Sequence, residues 1–235
     1  FGVVLLPDLS RKLRAADEAA ALRALNRGLE LAMLLSLPAA VALLVMPQPI
    51  ITVLFQRGAF DAQAATATAH ALAAFAIGVP AYVLVKILQP AFYAREDTKT
   101  PLKAALANVA TNIALSLILF LWLGHVGIAL ATAAAAWVDS GLLALWLHRR
   151  GYLRLDAQCR RRLPRMALAS ALMGGVLVLV HRGLLAPWLD AGPAWAVPAL
   201  AILVLGGMAV YGFLALATGA GDLADLRRLR RREAV

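Results

Sequence analysis

The sequence is short of the residue types on which most enzymes, metal proteins and disulfide-bonded proteins depend. Cys159 is the only cysteine among 235 residues, so the chain forms no internal disulfide. The four histidines, at positions 70, 125, 148 and 181, are too scattered for a recognisable zinc site. No serine lies near a histidine base, and there is no glycine-rich phosphate loop. These absences argue against chemistry on covalent bonds.

Charged residues are also few, and apolar residues dominate the composition. Charged side chains make up 15% of the chain and apolar ones 62%, and the mean hydropathy is +0.78. A soluble domain usually has about 45–50% apolar residues. Six apolar segments each have the length of a bilayer helix; they are 29–47, 68–92, 102–123, 127–147, 166–186 and 195–217. The sequence therefore predicts an all-α polytopic membrane protein.

The number of basic residues alternates between high and low in successive connections between the apolar segments. Lys and Arg number five in residues 8–28, one in 48–67, three in 93–103, none in 124–126, seven in 148–165, one in the next connection and five in the tail. This alternation follows the positive-inside rule and predicts a cytoplasmic C-terminus. In a soluble protein the net charge of +10 would suggest nucleic acid. Here topology explains the charge, so no nucleic acid partner is expected.

The opening residues 1–7 read FGVVLLP, without an initiator methionine or a basic n-region. They are unlike a signal peptide and typical of the end of a hydrophobic helix, so we expect the chain to be part of a larger protein. Asp8 is the predicted N-cap of an interfacial amphipathic helix that leads through residue 28 into the first crossing. Gly78 and Pro80 predict a break near the middle of the second crossing.

Lys86 lies inside the second apolar segment, where a charged side chain is expensive. At the bilayer centre a charge costs at least about 2.5–3.5 kcal/mol, so such a side chain should face protein or water. Two interpretations remain open. Either the ammonium group lines an aqueous cavity and meets an anionic substrate, or it reaches the inner membrane surface along its aliphatic stem.

A polar face runs along the third segment. Asn108, Asn112 and Ser116 recur at four-residue intervals and so share one side of a helix. With Thr132 of the next helix, this face is either a candidate site for a small hard cation or a set of interhelical hydrogen bonds. Asp139, in the centre of the fourth crossing, is a candidate carrier of a proton or cation, or the partner of a polar neighbour such as Asn112.

Four stretches of the chain carry a family resemblance. They are VLLPDLSRK (4–12), LFQRGAFD (54–61), KILQPAFYAREDTKTP (86–101) and GIALATAAAAWVDSGLLALWL (127–147). In that order they resemble the end of the eighth helix, an external link, a cytoplasmic link and the twelfth helix of the MurJ/MviN family of bacterial lipid II flippases. Their order and spacing match the family over essentially the whole chain.

The resemblance implies the C-terminal lobe of the multidrug/oligosaccharidyl-lipid/polysaccharide exporter fold plus two extra transmembrane helices, from late helix eight to helix fourteen. The implied organisation is as follows: 1–28, the end of a truncated transmembrane helix and a cytoplasmic amphipathic helix; 29–147, four helices of the lobe; 148–165, a basic cytoplasmic linker; 166–217, the two additional helices; and 218–235, a basic cytoplasmic tail. The N-terminal lobe, with most of the family's cavity arginines, is missing.

The resemblance also implies a function. The family moves undecaprenyl-pyrophosphate-linked peptidoglycan precursor (lipid II) from the inner to the outer leaflet of the bacterial cytoplasmic membrane by alternating access. The implied partners are that precursor, membrane lipids and the missing N-terminal lobe, so this chain alone is expected to be inactive. No cofactor is implied, and coupling to the membrane potential or to a monovalent cation is expected.

The matching site residues are Lys86, before the family's PxFY motif, and Arg95, Asp97 and Lys99 in the cytoplasmic link. The link cations would attract pyrophosphate, pair across the lobes to close an inner gate, or only anchor the loop. Two other functions remain open: a related exporter of polysaccharide precursors or drugs, and a non-transporting membrane scaffold. The scaffold predicts that Lys86 and Asp139 are dispensable.

Overall fold

The computed structural model of the chain describes residues 2–185, 187–188 and 193–220. All regular structure in this part of the chain is helical, which confirms the predicted all-α class. The helices are α1 (Gly2–Arg14), α2 (Glu18–Val45), α3 (Pro47–Phe55), α4 (Ala62–Tyr93), α5 (Lys99–Leu123), α6 (His125–Arg149), α7 (Ala157–Val180) and α8 (Pro193–Ala217), and a π-helical turn, His181–Leu185, continues α7. Of the predicted basic tail, 218–235, residues 221–235 lie outside the described residues.

Six helical segments are long and apolar enough to cross a membrane, as the sequence predicts. They are Glu18–Val45, Ala62–Tyr93, Lys99–Leu123, His125–Arg149, Ala157–Leu185 and Trp195–Ala217. Three of them begin at aspartate N-caps, which accept hydrogen bonds from backbone amides three residues on; the caps are Asp17, Asp61 and Asp156. Because the polar first turns stay helical outside the apolar region, α2 and α7 start earlier than hydrophobicity alone predicts.

The N-terminal helix differs from the sequence prediction. A single amphipathic helix capped by Asp8 is wrong, because α1 already runs through Asp8 and ends at Arg14. The Asp8 carboxylate instead lies 2.5 Å from the Lys12 ammonium group, one turn along the same helix. The chain then turns at Ala16, where φ is +54°, and α2 starts afresh behind the Asp17 cap.

The predicted break in the second crossing is also absent. Helix α4 continues through Pro80, and the indole Nε1 of Trp137 on α6 donates a hydrogen bond to the carbonyl of Ile77 at 3.0 Å. A Cβ on Gly78 would lie only 2.9 Å from the Cα of Ala133, so glycine is required for this close approach. Contact between α4 and α6 therefore supports the helix where proline and glycine would weaken it.

Two apolar clusters organise the packing, and α2 contributes to both. One cluster joins α1, α2, α4 and α6, and the other joins α2, α7 and α8. Polar contacts near the start of α7 add to the second: the Asn26 amide donates to the Arg154 carbonyl at 2.8 Å, and the Arg162 guanidinium pairs with the Glu30 carboxylate at 2.9 Å. The α7–α8 pair is thus fixed to α2, and α8 also packs on α3.

Candidate functional site

The connection between α4 and α5, residues 94–98, is the candidate site. It is a tight turn in which the Asp97 amide donates to the Phe92 carbonyl at 3.1 Å and Glu96 has a φ of +61°. This connection, which we call the inner link, packs against the segment that follows α6. Its charged residues therefore have neighbours that their sequence positions do not indicate.

Asp97 is the most fully engaged residue of the inner link. Its carboxylate accepts hydrogen bonds from the amide and hydroxyl of Thr100, at 3.0 and 2.6 Å, and so caps the first turn of α5. The Arg150 guanidinium, at the end of α6, pairs with the same carboxylate at 2.5 Å. The hydrogen bonds from Thr100 and Arg150 hold the pKa of Asp97 well below its usual range.

This depressed pKa predicts that the inner link keeps its structure across the neutral range. A carboxylate whose folded pKa is lowered contributes stability above its unfolded pKa of about 3.9, and that stability is lost only as pH falls below this value. We expect hydrogen exchange of the Thr100 amide, corrected for its intrinsic rate, to show constant protection from about pH 5 to 8. Asp97→Asn should reduce that protection. A loss of protection near neutral pH in the wild-type protein would contradict the assignment.

Arg95 is held within the link by two contacts. Its guanidinium donates a hydrogen bond to the Ala91 carbonyl at 2.9 Å, and lies 4.0 Å from the ring centroid of Tyr152. Burial lowers the pKa of Arg95, while nearby Tyr152 and Glu18 raise it. Arginine still remains protonated at physiological pH, so this is a cation–π contact between the link and the segment after α6.

Lys86 and Lys99 are placed differently from Arg95 and Asp97. Both are exposed, and neither forms a hydrogen bond or ion pair with the described part of the chain. Lys86 lies seven residues before the end of α4, about 10 Å along the helix axis at 1.5 Å per residue. Tyr82 and Tyr93 are exposed on the same side of α4, so they form an open face with Lys86.

The polar face predicted inside the membrane joins α5 to α6. The Asn112 amide donates to the Thr132 hydroxyl at 3.0 Å, and the Asn108 amide to an Asp139 carboxylate oxygen at 3.3 Å. Thr132 in turn donates to the carbonyl of Ile128 at 2.8 Å. Asp139 is buried, and its second carboxylate oxygen has no hydrogen-bond partner in the described residues. This geometry shows the interhelical hydrogen bonds of the second interpretation. The polar neighbour of Asp139 is Asn108 and not Asn112.

An apolar groove opens between α2, α7 and α8. Its volume is about 360 Å³, and its walls include Pro38 and Met46 from the α2 side, Leu177 from α7, and Leu203 and Tyr211 from α8. Almost all of the lining is hydrocarbon. The groove can therefore accept a long aliphatic chain but offers little to a charged group.

The structure adds two residues to the site that sequence reasoning missed, Arg150 and Tyr152. Both come directly after a predicted crossing, where basic residues are expected on topological grounds, so Arg150 carries no distinctive signal. Only the path of the chain after α6 brings them to the inner link. No group of three His, Cys, Asp or Glu side chains within the described ranges could hold a metal ion.

Comparisons with known proteins give a consistent result. The family model described as lipid II flippase MurJ matches residues 1–191. Probable lipid II flippases MurJ of Rhizobium tropici and Rhizobium meliloti are 43% and 40% identical, over 99% and 98% of this chain. A solved structure described as lipid II flippase MurJ in an inward closed conformation superposes with a TM-score of 0.74 at 25% identity, over 91% of this chain and 41% of that one.

The match covers almost all of this chain but less than half of each relative. The chain covers 44% of the Rhizobium tropici relative and 43% of the Rhizobium meliloti relative. It therefore spans less than half the length of the curated relatives that it matches. More than half of each relative has no counterpart in these 235 residues.

Proposed function

The chain belongs to the MurJ family of lipid II flippases, and from this premise we propose that it forms the C-terminal part of a transporter for lipid-linked peptidoglycan precursor. The transporter moves the undecaprenyl-pyrophosphate-linked disaccharide-pentapeptide from the inner to the outer leaflet of the bacterial cytoplasmic membrane by alternating access. The observation that carries this proposal is Lys86, an exposed lysine without a partner in the described residues on the open face of a membrane-spanning helix.

The chemistry of the precursor explains why such a lysine is needed. A diphosphate cannot enter hydrocarbon without losing its hydration, which is very unfavourable for a multiply charged group. A cation on a wet path inside the membrane offsets part of that loss. The open face of α4 supplies one such cation beside two tyrosine side chains, Tyr82 and Tyr93. Lys99, just beyond the inner link at the start of α5, supplies a second exposed cation.

The apolar groove accounts for the other end of the precursor. A long isoprenoid chain stays in hydrocarbon while the head group crosses, so it needs an apolar surface that opens to the bilayer. The groove between α2, α7 and α8 meets this requirement in its lining, and its volume holds one part of such a chain. We assign the tail to the groove and the diphosphate to the α4 face, which faces the N-terminal lobe of the complete protein.

The energy source belongs to the same proposal. Transport is coupled to the membrane potential or to a monovalent cation, and the C-terminus lies in the cytoplasm. The polar face of α5 and α6 provides oxygen atoms, but its side chains already bond one another. A cation there would need to break these contacts. Collapse of the potential with a potassium ionophore should stop transport if the potential drives it, and sodium omission should stop it if the cation does.

The test of the function uses the complete gene product that contains these residues. It is expressed in bacterial cells depleted of their own flippase, and lipid II in the outer leaflet is measured with an impermeant probe. Restored growth and restored labelling are expected. Growth without outer-leaflet labelling, or labelling of a different polyprenyl-linked glycan, would favour the related exporter of polysaccharide precursors. Restored growth with both Lys86→Ala and Asp139→Ala would favour the scaffold.

A further inference from the structure

We propose that Arg150 is a positioning residue that holds the inner link against the cytoplasmic end of α6. This proposal rests on the proposed transport function, because it concerns how the entrance to the α4 face keeps its shape. It concerns a residue outside the KILQPAFYAREDTKTP motif. It gives Arg95 and Asp97 a role within this lobe, whereas Lys86 and Lys99 remain available to an anionic ligand.

Arg150 connects two parts of the chain that meet at the link. One guanidinium nitrogen, Nη1, pairs with the Asp97 carboxylate at 2.5 Å, and the other, Nη2, donates to the Thr100 hydroxyl at 2.9 Å. Because Thr100 also donates to Asp97, the three side chains form a closed ring of hydrogen bonds. The planar guanidinium bonds the two acceptors from two separate nitrogens, which a single lysine nitrogen cannot reproduce, so arginine and lysine are not equivalent here.

The segment after Arg150 adds a second contact on the same side of the link. Gly151 has a φ of +76°, which turns the chain back so that the Tyr152 amide donates to the Leu147 carbonyl at 2.8 Å. This turn places the Tyr152 ring under the Arg95 guanidinium, 4.0 Å from its centroid. Arg150 and Tyr152 therefore hold the two charged ends of the link from one short segment.

This arrangement has a mechanical consequence. Helix α6 already contacts α4 closely at Gly78 and bonds α5 through its polar face. With the link fixed to the end of α6 as well, α4, the link, α5 and α6 form one unit at the inner side. Movement of Lys99 during transport then requires either movement of this whole unit or release of the Arg150 contact with Asp97.

The experiment measures link release and transport in parallel on the complete gene product in inside-out vesicles. Trypsin needs an extended backbone around the bond that it cleaves, so cleavage after Arg95, in the tight turn, reports opening of the link. Because the ion pair is partly exposed, we expect Arg150→Ala to speed cleavage in the link about three- to fivefold, the scale of a loss near 1 kcal/mol. Flipping should decrease by a similar factor. Arg149→Ala is the matched control, since Arg149 is the exposed neighbour and forms no hydrogen bond or ion pair in the described residues.

Two further variants separate positioning from general damage to the fold. The double variant Asp97→Asn with Arg150→Ala should cleave more slowly than the product of the two single effects predicts, because both changes remove the same ion pair, and Arg150→Lys should restore protection only in part. Equal cleavage rates for the Arg150→Ala and Arg149→Ala proteins would overturn the proposal. Faster cleavage with unchanged flipping would also overturn it. If the wild-type protein does not flip lipid II but the cleavage pattern holds, the transport function fails and the structural assignment stands.

Discussion

Replacement of Lys86 by alanine is expected to reduce lipid II flipping by about 10- to 100-fold at matched expression. This factor corresponds to the loss of one charge-assisted contact with the diphosphate, about 1.5–3 kcal/mol. Lys86 has no structural partner within the described residues, so its removal leaves no orphaned group behind. The measurement is the rate of outer-leaflet lipid II labelling in flippase-depleted cells that carry the variant in the complete gene product.

Two control variants sharpen the Lys86 experiment. Lys86→Arg keeps the charge and should retain most of the activity, whereas Lys86→Gln should behave like the alanine variant. Arg161→Ala removes an exposed cation near the start of α7, far from the α4 face, and should leave flipping within about twofold of the wild type, as expected of an isolated surface charge. If Lys86→Ala and Arg161→Ala were equally active, the substrate-binding role of Lys86 would have to be abandoned.

The expected cause of a transport defect differs between Arg95→Ala and Lys86→Ala, although both residues match the same family motif. From the sequence, Arg95→Ala is also expected to impair flipping more than Arg161→Ala. The structure places Arg95 on Tyr152, so we expect the loss to come from a loosened link. Substitution of Tyr152 by leucine should then reproduce part of the Arg95→Ala defect, which a direct contact between Arg95 and diphosphate does not predict.

The second large effect is expected at Gly127, beside the tight turn between α5 and α6. Substitution by alanine should destabilise the protein by about 3 kcal/mol, at the upper end of the usual effect of overpacking. A Cβ at this position would lie 2.3 Å from the carbonyl oxygen of Leu119, and backbone cannot move aside as a side chain can. The neighbouring Gly124, with a φ of +55°, makes the turn that brings α6 back against the end of α5. The measurement is thermal unfolding in detergent.

Gly141 provides a matched control for Gly127 on the same helix. A Cβ there would meet no atom within 4 Å, and the residue is exposed. Gly141→Ala should therefore leave the melting temperature unchanged or raise it slightly, because alanine is the better helix former. Similar melting temperatures for the two variants would show that the α5–α6 turn tolerates a side chain, against the geometry described above.

Several features of the fold could be predicted from the sequence because they depend on local composition. Six apolar runs of bilayer length gave six membrane-spanning candidates, and the family resemblance carried by four short stretches is confirmed. The prediction for the N-terminal helix was wrong because Asp8 resembles an N-cap when only its sequence neighbours are considered, whereas α1 continues through it. The predicted break at Pro80 was wrong because the packing of α6 on α4 outweighs the tendency of proline and glycine to interrupt a helix.

The hydrogen-bond partners of the polar residues, by contrast, could not be predicted from the sequence. Asn108 and Asn112 share a face by helical spacing, yet spacing could not determine that Asn108 reaches Asp139 while Asn112 reaches Thr132. That choice depends on the vertical register of α5 against α6, which the turn at Gly124 and Gly127 sets. The roles of these residues in cation binding stay predictions.

By itself, the sequence determined the number of membrane helices, their alternation of basic flanks and the family to which the chain belongs, since each of these depends on residue types within a short window. Only the tertiary structure decided that Arg95 and Asp97 are engaged by Tyr152 and Arg150 while Lys86 stays open on α4. The physical reason is that an ionic group chooses its partner by distance and direction in space. Residues some fifty positions apart along the chain meet only after α4, α5 and α6 have packed.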